Sequence, residues 1–316
     1  MPKATRVKNT LPIENHLPDV LPRLTSFGRD LDLSPATFGE LESSSHLLND
    51  AQALRAKMQA DGYLFLPGYL NREDVLQARA EVAARLEREG VLDPNFPRAE
   101  LVARRKAAFP MRPDLVRENA PLLKVLYDGP MIAFYEKFFG EAVRHFDYTW
   151  FRAVLPGRGT PPHMDIVYMG RGTHELLTAW TPLGDVSLQL GGLMILEKSH
   201  LHERLNRNYA QRDVDRVCTN KTRADGQPIQ PRGYLSDFPD KLRANLGGRW
   251  LTARFRAGDL LTFTSKTIHA SLDNASNQIR LSTDTRYQPA AAPIDDRWIG
   301  ENPTAHGPQS KREMIC

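Results

Sequence analysis

The segment Pro161-Pro162-His163-Met164-Asp165 places an imidazole and a carboxylate two residues apart. In an extended strand, residues two apart point to the same side, so His163 and Asp165 can aim a nitrogen and an oxygen at one point. A third metal ligand must then come from a neighbouring strand. His269, in Phe263-Thr264-Ser265-Lys266-Thr267-Ile268-His269, is the candidate. Two histidines and one carboxylate on one face of an iron ion leave three positions open. Those positions admit a bidentate 2-oxo acid and O2, the arrangement used by non-haem Fe(II) oxygenases. By itself His-x-Asp is a common surface or capping pair in a chain with 9 histidines and 38 acidic residues, so its weight depends on what accompanies it.

Eleven residues after His269 comes Arg280, in Gln278-Ile279-Arg280-Leu281-Ser282-Thr283-Asp284-Thr285-Arg286-Tyr287. Alternation puts Arg280, Ser282, Asp284 and Arg286 on one strand face, a pattern that suits a lined cavity better than a dry core. A guanidinium fork matches a carboxylate through two charge-assisted hydrogen bonds. Arg280 is therefore the candidate to grip the distal carboxylate of 2-oxoglutarate. The plainer alternative is an edge strand facing solvent, with Arg280 and Asp284 paired along it.

These residues need elements to hold them. Ala51, Leu54 and Met58 recur at helical spacing between Asn49 and Ala60, Asp61-Gly62 ends that helix, and Tyr63-Leu64-Phe65-Leu66 reads as a buried strand. Asn71 can cap a second helix, with Glu73 and Asp74 in its first turn. Residues 91–112 read as a loop. A third helical region spans Pro121 to Phe139, interrupted at Gly129-Pro130 and stopped by Gly140. From His145 onwards short strands are expected at about 145–155, 175–182, 192–197, 251–256, 259–264 and 278–287. Helices followed by many strands suggest an α+β domain with a sandwich or barrel. The expected organisation is an extended arm (1–45), a main domain (46–290) with an insertion at 200–250 holding Tyr209, Tyr234, Phe238 and Trp250, and a C-terminal tail (291–316). A long insertion between core strands often covers a binding site.

Taken together, the chain resembles the phytanoyl-CoA dioxygenase family of Fe(II)/2-oxoglutarate oxygenases over roughly residues 48–290. The matching blocks are Asp61-Gly62-Tyr63-Leu64-Phe65-Leu66-Pro67-Gly68, His163-Met164-Asp165, Thr178-Ala179-Trp180-Thr181-Pro182-Leu183 and Gly191 to His200. They continue from Ala257 to Phe263 and through His269-Ala270-Ser271, Asn274, Arg280 and Arg286-Tyr287. The resemblance implies a double-stranded β-helix, the jelly-roll or cupin-like core, flanked by helices. It places Fe(II) at His163, Asp165 and His269, and 2-oxoglutarate at Arg280 with help from Ser271. It implies activation of O2, release of succinate and CO2, and hydroxylation of an unactivated C–H bond. Related halogenases lack the carboxylate, so Asp165 favours hydroxylation. One departure stands out: a common Pro-Gly-Ser-His segment reads Glu197-Lys198-Ser199-His200 here. His200 and His202 are expected to be structural or rim residues, and His174 a loop histidine.

For the substrate, Tyr148, Trp150 and Arg152 alternate before the metal motif and could share a face looking into the barrel, or simply pack in the core. Arg158, Tyr168 and Arg171, with Arg286, could make the mouth basic and suit a small carboxylated or phosphorylated molecule. Nothing in the sequence singles out an acyl-CoA.

The bulk composition agrees with a globular enzyme. The 316 residues are 41% hydrophobic and 25% charged, with 42 basic residues against 38 acidic ones and a net charge of +4. No long Lys/Arg block marks nucleic-acid binding, Arg104-Arg105-Lys106 being the densest run. No stretch approaches the roughly 18 apolar residues of a membrane span, and the N-terminal residues lack a signal-peptide core. The two cysteines, Cys218 and Cys316, exclude a disulfide framework or cysteine-based metal site and fit a reducing, cytoplasmic setting. Two rivals remain at this stage. A Zn(II) or Mn(II) hydrolase or isomerase could use the same ligands but has no need of Arg280 and Ser271. A non-catalytic barrel would be expected to have lost a ligand.

Overall fold

The computed structural model describes residues 15–104, 112–215 and 233–306. Both cysteines, Arg105 and Lys106, and the central part of the 200–250 insertion lie outside the described residues. The elements run in the order β1 (Thr25–Ser26), β2 (Arg29–Asp30), β3 (Phe38–Glu40), α1 (Ala51–Asp61), β4 (Tyr63–Leu66) and α2 (Arg72–Arg88). Then come α3 (Ala120–Tyr127), α4 (Gly129–Phe139), β5 (Val143–His145), β6 (Trp150–Val154), α5 (Ile166–Met169), β7 (Leu177–Pro182) and β8 (Leu193–Leu196). The chain closes with α6 (Glu203–Arg207), α7 (Pro239–Leu246), β9 (Trp250–Thr252), β10 (Leu260–Thr264), β11 (His269–Ser271) and β12 (Arg280–Pro289).

Local chemistry explains the helix ends. Asp50 caps α1 by accepting from the Ala53 N–H, and Gly62 leaves it in the left-handed conformation, φ 80°. A side chain could not stand at Gly62, because a Cβ there would come within 2.4 Å of the His200 ring. Asn71 accepts from the Glu73 and Asp74 N–H groups at the start of α2. The Asp128-Gly129-Pro130 break divides the third helical region into α3 and α4, as the sequence indicates.

Two sheets form the jelly roll. The larger has the order β4-β10-β7-β12-β5, with β6 also on β12, and the smaller the order β11-β8-β9-β3. Between them lie Tyr63, Phe65, Trp180, Ile195, Leu251, Phe255, Leu261 and Phe263, a single dry cluster. The outer face of the larger sheet is covered by α1–α4, whose Leu54, Val75, Leu86, Leu122 and Phe134 join Leu64, Leu281 and Tyr287 in the main core. Replacing one of the buried aromatics with alanine would cost about 3–5 kcal/mol, transfer and cavity terms combined.

β12 settles the earlier choice between a lined cavity and an edge strand. It pairs with β5, β6 and β7, and all ten of its residues are buried. Its odd-numbered residues face the helices, with Tyr287 stacked on Tyr135 at 4.1 Å between centroids. Its even-numbered residues carry the polar groups to the other face.

The outer segments are more than an arm and a tail. β3 joins β9 in the smaller sheet, and the Asn15 side chain reaches Asp259 Oδ2 at 2.6 Å. At the other end, Trp298 is 1% exposed and packs with Phe146, Trp150, Met169 and Leu176. Short strands without lasting alternation gave no periodic signal of this docking. Among the described residues, no helix is long and apolar enough to cross a membrane.

Candidate metal centre

The Pro161-Pro162 pair keeps the chain extended up to His163. There His163 and His269 exchange both backbone hydrogen bonds, each N–H donating to the other's carbonyl at 3.0 Å. This bridge extends the smaller sheet by one residue and sets the imidazoles side by side, 4.1 Å between ring centroids. Asp165 follows at the start of α5. Its Oδ1 lies 3.7 Å from His163 Nε2 and 3.6 Å from His269 Nε2. The three side chains are buried, and their ligand atoms fall within 4.8 Å of one another.

The hydrogen bonds around the triad prepare it for a cation. His163 Nδ1 donates to the Pro161 carbonyl at 2.9 Å and His269 Nδ1 to the Thr267 carbonyl at 3.0 Å. Each ring is thereby fixed with its Nε2 lone pair facing Asp165. Burial, reinforced by the adjacent His269, pushes His163 down to about 3, and burial lowers His269 as well. Both rings are accordingly neutral at neutral pH. Burial alone would raise Asp165, but Arg286 and the two histidines outweigh it and hold the carboxyl below its ordinary range.

Asp165 has one oxygen committed elsewhere. Its Oδ2 accepts from Thr178 Oγ1 at 2.6 Å and from Arg286 Nη2 at 2.8 Å. Thr178 and Arg286 are direct cross-strand partners on β7 and β12. Arg286 is further placed by Trp150, whose ring centroid is 4.4 Å from the guanidinium carbon, and by Met169 Sδ, 3.2 Å from Nε. The sequence reading gave Arg286 to the substrate. Although it lines the cavity, its guanidinium serves the metal-site carboxylate, a pairing that only the strand register creates.

A cavity of about 250 Å³ opens over the triad, lined by Trp150, Arg152, Thr160, Tyr168, Met169 and Tyr234 among others, with His306 completing the wall. Trp150, Arg152 and Tyr168 are where the sequence suggested. Tyr148 is not: β6 begins only at Trp150, so the alternation does not extend back to it, and Tyr148 lines a separate outer groove with Tyr127 and Glu301. Arg158 and Arg171 do not make the mouth basic. Arg158 lies 5.6 Å from the Phe27 ring centroid, and Arg171 Nε bonds Asp213 at 2.6 Å. His174 is exposed, His200 bonds the Gln59 carbonyl at 2.9 Å and His202 caps α6. The substituted turn keeps a glycine-like shape, since Lys198 adopts φ 54°. Thr178, Tyr234 and His306 were missed. Thr178 had one weak signal, a hydroxyl matched only by Thr181 in an otherwise apolar strand; the other two come from segments without a readable period.

Residues 58–282 match the profile of the phytanoyl-CoA dioxygenase (PhyH) family. The chain belongs to this family. It is an enzyme, a non-haem iron oxygenase dependent on 2-oxoglutarate. It is 27% identical over 267 residues to a 1-deoxypentalenic acid 11-beta-hydroxylase of Streptomyces exfoliatus, covering 81% of this chain and 87% of the relative. In fold it resembles EctD from S. alaskensis in its apoform (TM-score 0.53, 15% identity, 90% of this chain and 94% of that one). It also resembles the epimerase SnoN in complex with Fe3+, alpha ketoglutarate and nogalamycin RO (TM-score 0.50, 20% identity, 78% and 86%).

Whether this chain's residues fit the cosubstrate can be judged at Arg280. It is 1% exposed, and among the described residues its Nε is buried without a hydrogen-bond partner and its Nη1 reaches only Ser282 Oγ at 3.2 Å. Burial and the charge of Arg152 lower it to about 10, so it remains a cation at neutral pH. Asp284 acts on it only through its charge, and a buried cation without a hydrogen-bonded carboxylate is costly unless an anion joins it. Ser271 Oγ accepts from the Thr160 N–H at 2.7 Å, which leaves its own proton to donate. Both groups fit a dicarboxylate.

Proposed function

We propose that the protein hydroxylates an unactivated C–H bond of a small, mainly apolar carboxylic acid, using His163, Asp165 and His269 to hold iron and Arg280 with Ser271 to hold 2-oxoglutarate. The observation that carries this reading is the convergence of two neutral imidazole Nε2 atoms and Asp165 Oδ1 beside an open cavity walled by Trp150, Tyr168 and Tyr234. When bound, iron and 2-oxoglutarate supply the oxidising power: R–H, O2 and 2-oxoglutarate become R–OH, succinate and CO2.

The chain's own residues do the positioning. Arg286 and Thr178 fix Asp165 by its Oδ2, leaving Oδ1 alone to face the histidines. Trp150, Tyr168 and Met169 exclude water from the site and present an apolar wall. Arg152 supplies the anion contact. Its Nε donates to Asp284 Oδ2 at 2.7 Å, while the rest of the guanidinium borders the cavity. Burial would lower Arg152, but Asp284 outweighs it and keeps the group firmly cationic. The acid named in the Streptomyces exfoliatus hydroxylase supports a carboxylated substrate, as does the Arg152 guanidinium in a cavity wall where Arg286 is already engaged by Asp165.

The test is succinate release from 2-oxoglutarate by the purified protein with Fe(II), including the slow turnover that occurs without a primary substrate. Wild type should release it, and His163→Ala should not. A metal hydrolase or a non-catalytic barrel would release none from either.

A further inference from the structure

The C-terminal segment after β12 lies beyond the family match at residues 58–282, yet its described residues reach the cavity wall at His306. What holds it there is a buried charge cluster. Arg297, 3% exposed at its side chain, donates from Nε and Nη2 to Asp295 at 2.8 and 2.5 Å, from Nη1 to Asp215 Oδ2 at 2.5 Å, and from Nη2 to the Tyr168 carbonyl at 2.8 Å. Asp213 stands 3.6 Å from Nη1 and is also bound by Arg171. Three segments meet at this guanidinium: the turn after the metal motif, the 200–250 insertion and the C-terminal segment. The Ala305 N–H then bonds the Arg297 carbonyl at 2.9 Å and turns the chain back over the site.

That return delivers His306. Its Nδ1 lies 2.7 Å from Asp215 Oδ2, and its ring packs edge-on against Trp298 (4.7 Å) and Tyr168 (5.4 Å). A carboxylate oxygen accepts, so Nδ1 must donate. The side chain keeps 32% of its surface exposed, but desolvation by the packed rings outweighs Asp215 and lowers the imidazole below its ordinary range, so at neutral pH this is the neutral tautomer with its lone pair on Nε2. The cavity therefore has a cation, Arg152, and an acceptor, His306, with Trp150, Tyr168 and Met169 also in its wall. A lone pair repels a carboxylate and welcomes a hydroxyl.

We infer that His306, presented by the Arg297 cluster, is a specificity-determining residue that accepts a hydrogen bond from the substrate, so that the molecule oxidised carries a hydroxyl or N–H donor as well as its acid group. This rests on the carboxylic-acid reading above. The acid end goes to Arg152 and the donor end to His306, which fixes which carbon faces the metal centre.

The experiment compares two compact probes, adamantane-1-carboxylate and 3-hydroxyadamantane-1-carboxylate, binding to the full chain loaded anaerobically with Fe(II) and 2-oxoglutarate. Dissociation constants are read from tryptophan fluorescence. Wild type should bind the hydroxy acid about fivefold to tenfold tighter, the scale of one net hydrogen bond. His306→Phe should bring that ratio to about one while leaving the parent acid within about twofold, and His306→Gln, which retains an acceptor, should restore part of it. Arg152→Met should weaken both probes alike by about tenfold or more. A wild type that does not discriminate, or a His306→Phe protein that still does, overturns the role of His306. If wild type binds neither acid, or Arg152→Met leaves both unaffected, the acid reading fails and takes this inference with it. Circular dichroism on each variant verifies that the fold is kept.

Discussion

Arg286 and Arg297 are both almost fully buried guanidiniums bound to aspartates, but they sit in different kinds of structure. Arg286 reaches a single carboxylate whose other oxygen faces the histidine pair, and it does so from the middle of a ten-residue strand. Its partner Thr178 is directly across the ladder. Arg297 instead lies in a short turn and gathers Asp295 from that turn and Asp213 and Asp215 from one distant segment. The difference shows two uses of the same ion pair. In the sheet, the backbone has already fixed the geometry and the arginine orients a ligand. In the C-terminal segment, the ion pairs themselves fix the backbone. Loss of the first should therefore disturb metal chemistry and leave the fold, and loss of the second should disturb the fold first.

The largest effect belongs to the triad both assemblies surround. His163→Ala should abolish Fe(II)-dependent succinate release, since the site then holds two ligands, and iron binding measured anaerobically should vanish with it. Next is Arg297→Met, which strips Asp295 and Asp215 of their buried guanidinium and leaves Asp213 to Arg171. It should lower the free energy of unfolding by about 3–5 kcal/mol, read from a urea titration. A change below about 1 kcal/mol would show that packing of Trp298, not the ion pairs, holds the segment. Arg280→Ala should weaken 2-oxoglutarate about 100-fold through loss of a two-pronged charge-assisted contact, with Fe(II) affinity unaffected.

Arg286→Met should weaken Fe(II) by about 10-fold to 100-fold, the range for partners that orient a metal ligand, with little change in the urea midpoint. If instead the midpoint falls as far as in Arg297→Met, the contrast between the two arginines breaks down. The smallest effect concerns pH. His163 is pushed down to about 3, so its ring stays neutral between pH 8 and 6, and burial lowers His269 in the same direction. A depressed folded pKa means that proton competition begins only as pH falls well below the ordinary imidazole range. Fe(II) affinity should thus change by less than about threefold across that interval, where a site of ordinary imidazoles would lose more.

The contrast also explains what was legible in the sequence. His163 and Asp165 are two residues apart, and Arg280, Ser282, Asp284 and Arg286 alternate along one strand, so local periodicity alone puts each set on a common side. The helix caps at Asp50 and Asn71 and the break at Gly129-Pro130 are likewise written locally. Arg286 lines the cavity expected of it, while its bond to Asp165 is not legible, because pairing of β12 with β7 is a long-range event. Tyr148 failed for the opposite reason: alternation was extended two residues past the true start of β6. The Arg297 cluster left no pattern at all. Asp213 and Asp215 precede Arg297 by more than 80 positions, in segments too short and polar to show a period, and His306 takes its carboxylate contact from Asp215.

The most direct measurement is an anaerobic titration of the purified protein with Fe(II) and 2-oxoglutarate, followed by visible absorption. A weak charge-transfer band that requires both additions, is absent in His163→Ala and needs far more 2-oxoglutarate in Arg280→Ala is the expected result. No band in the wild type, or a band that survives His163→Ala unchanged, would contradict the metal centre described here.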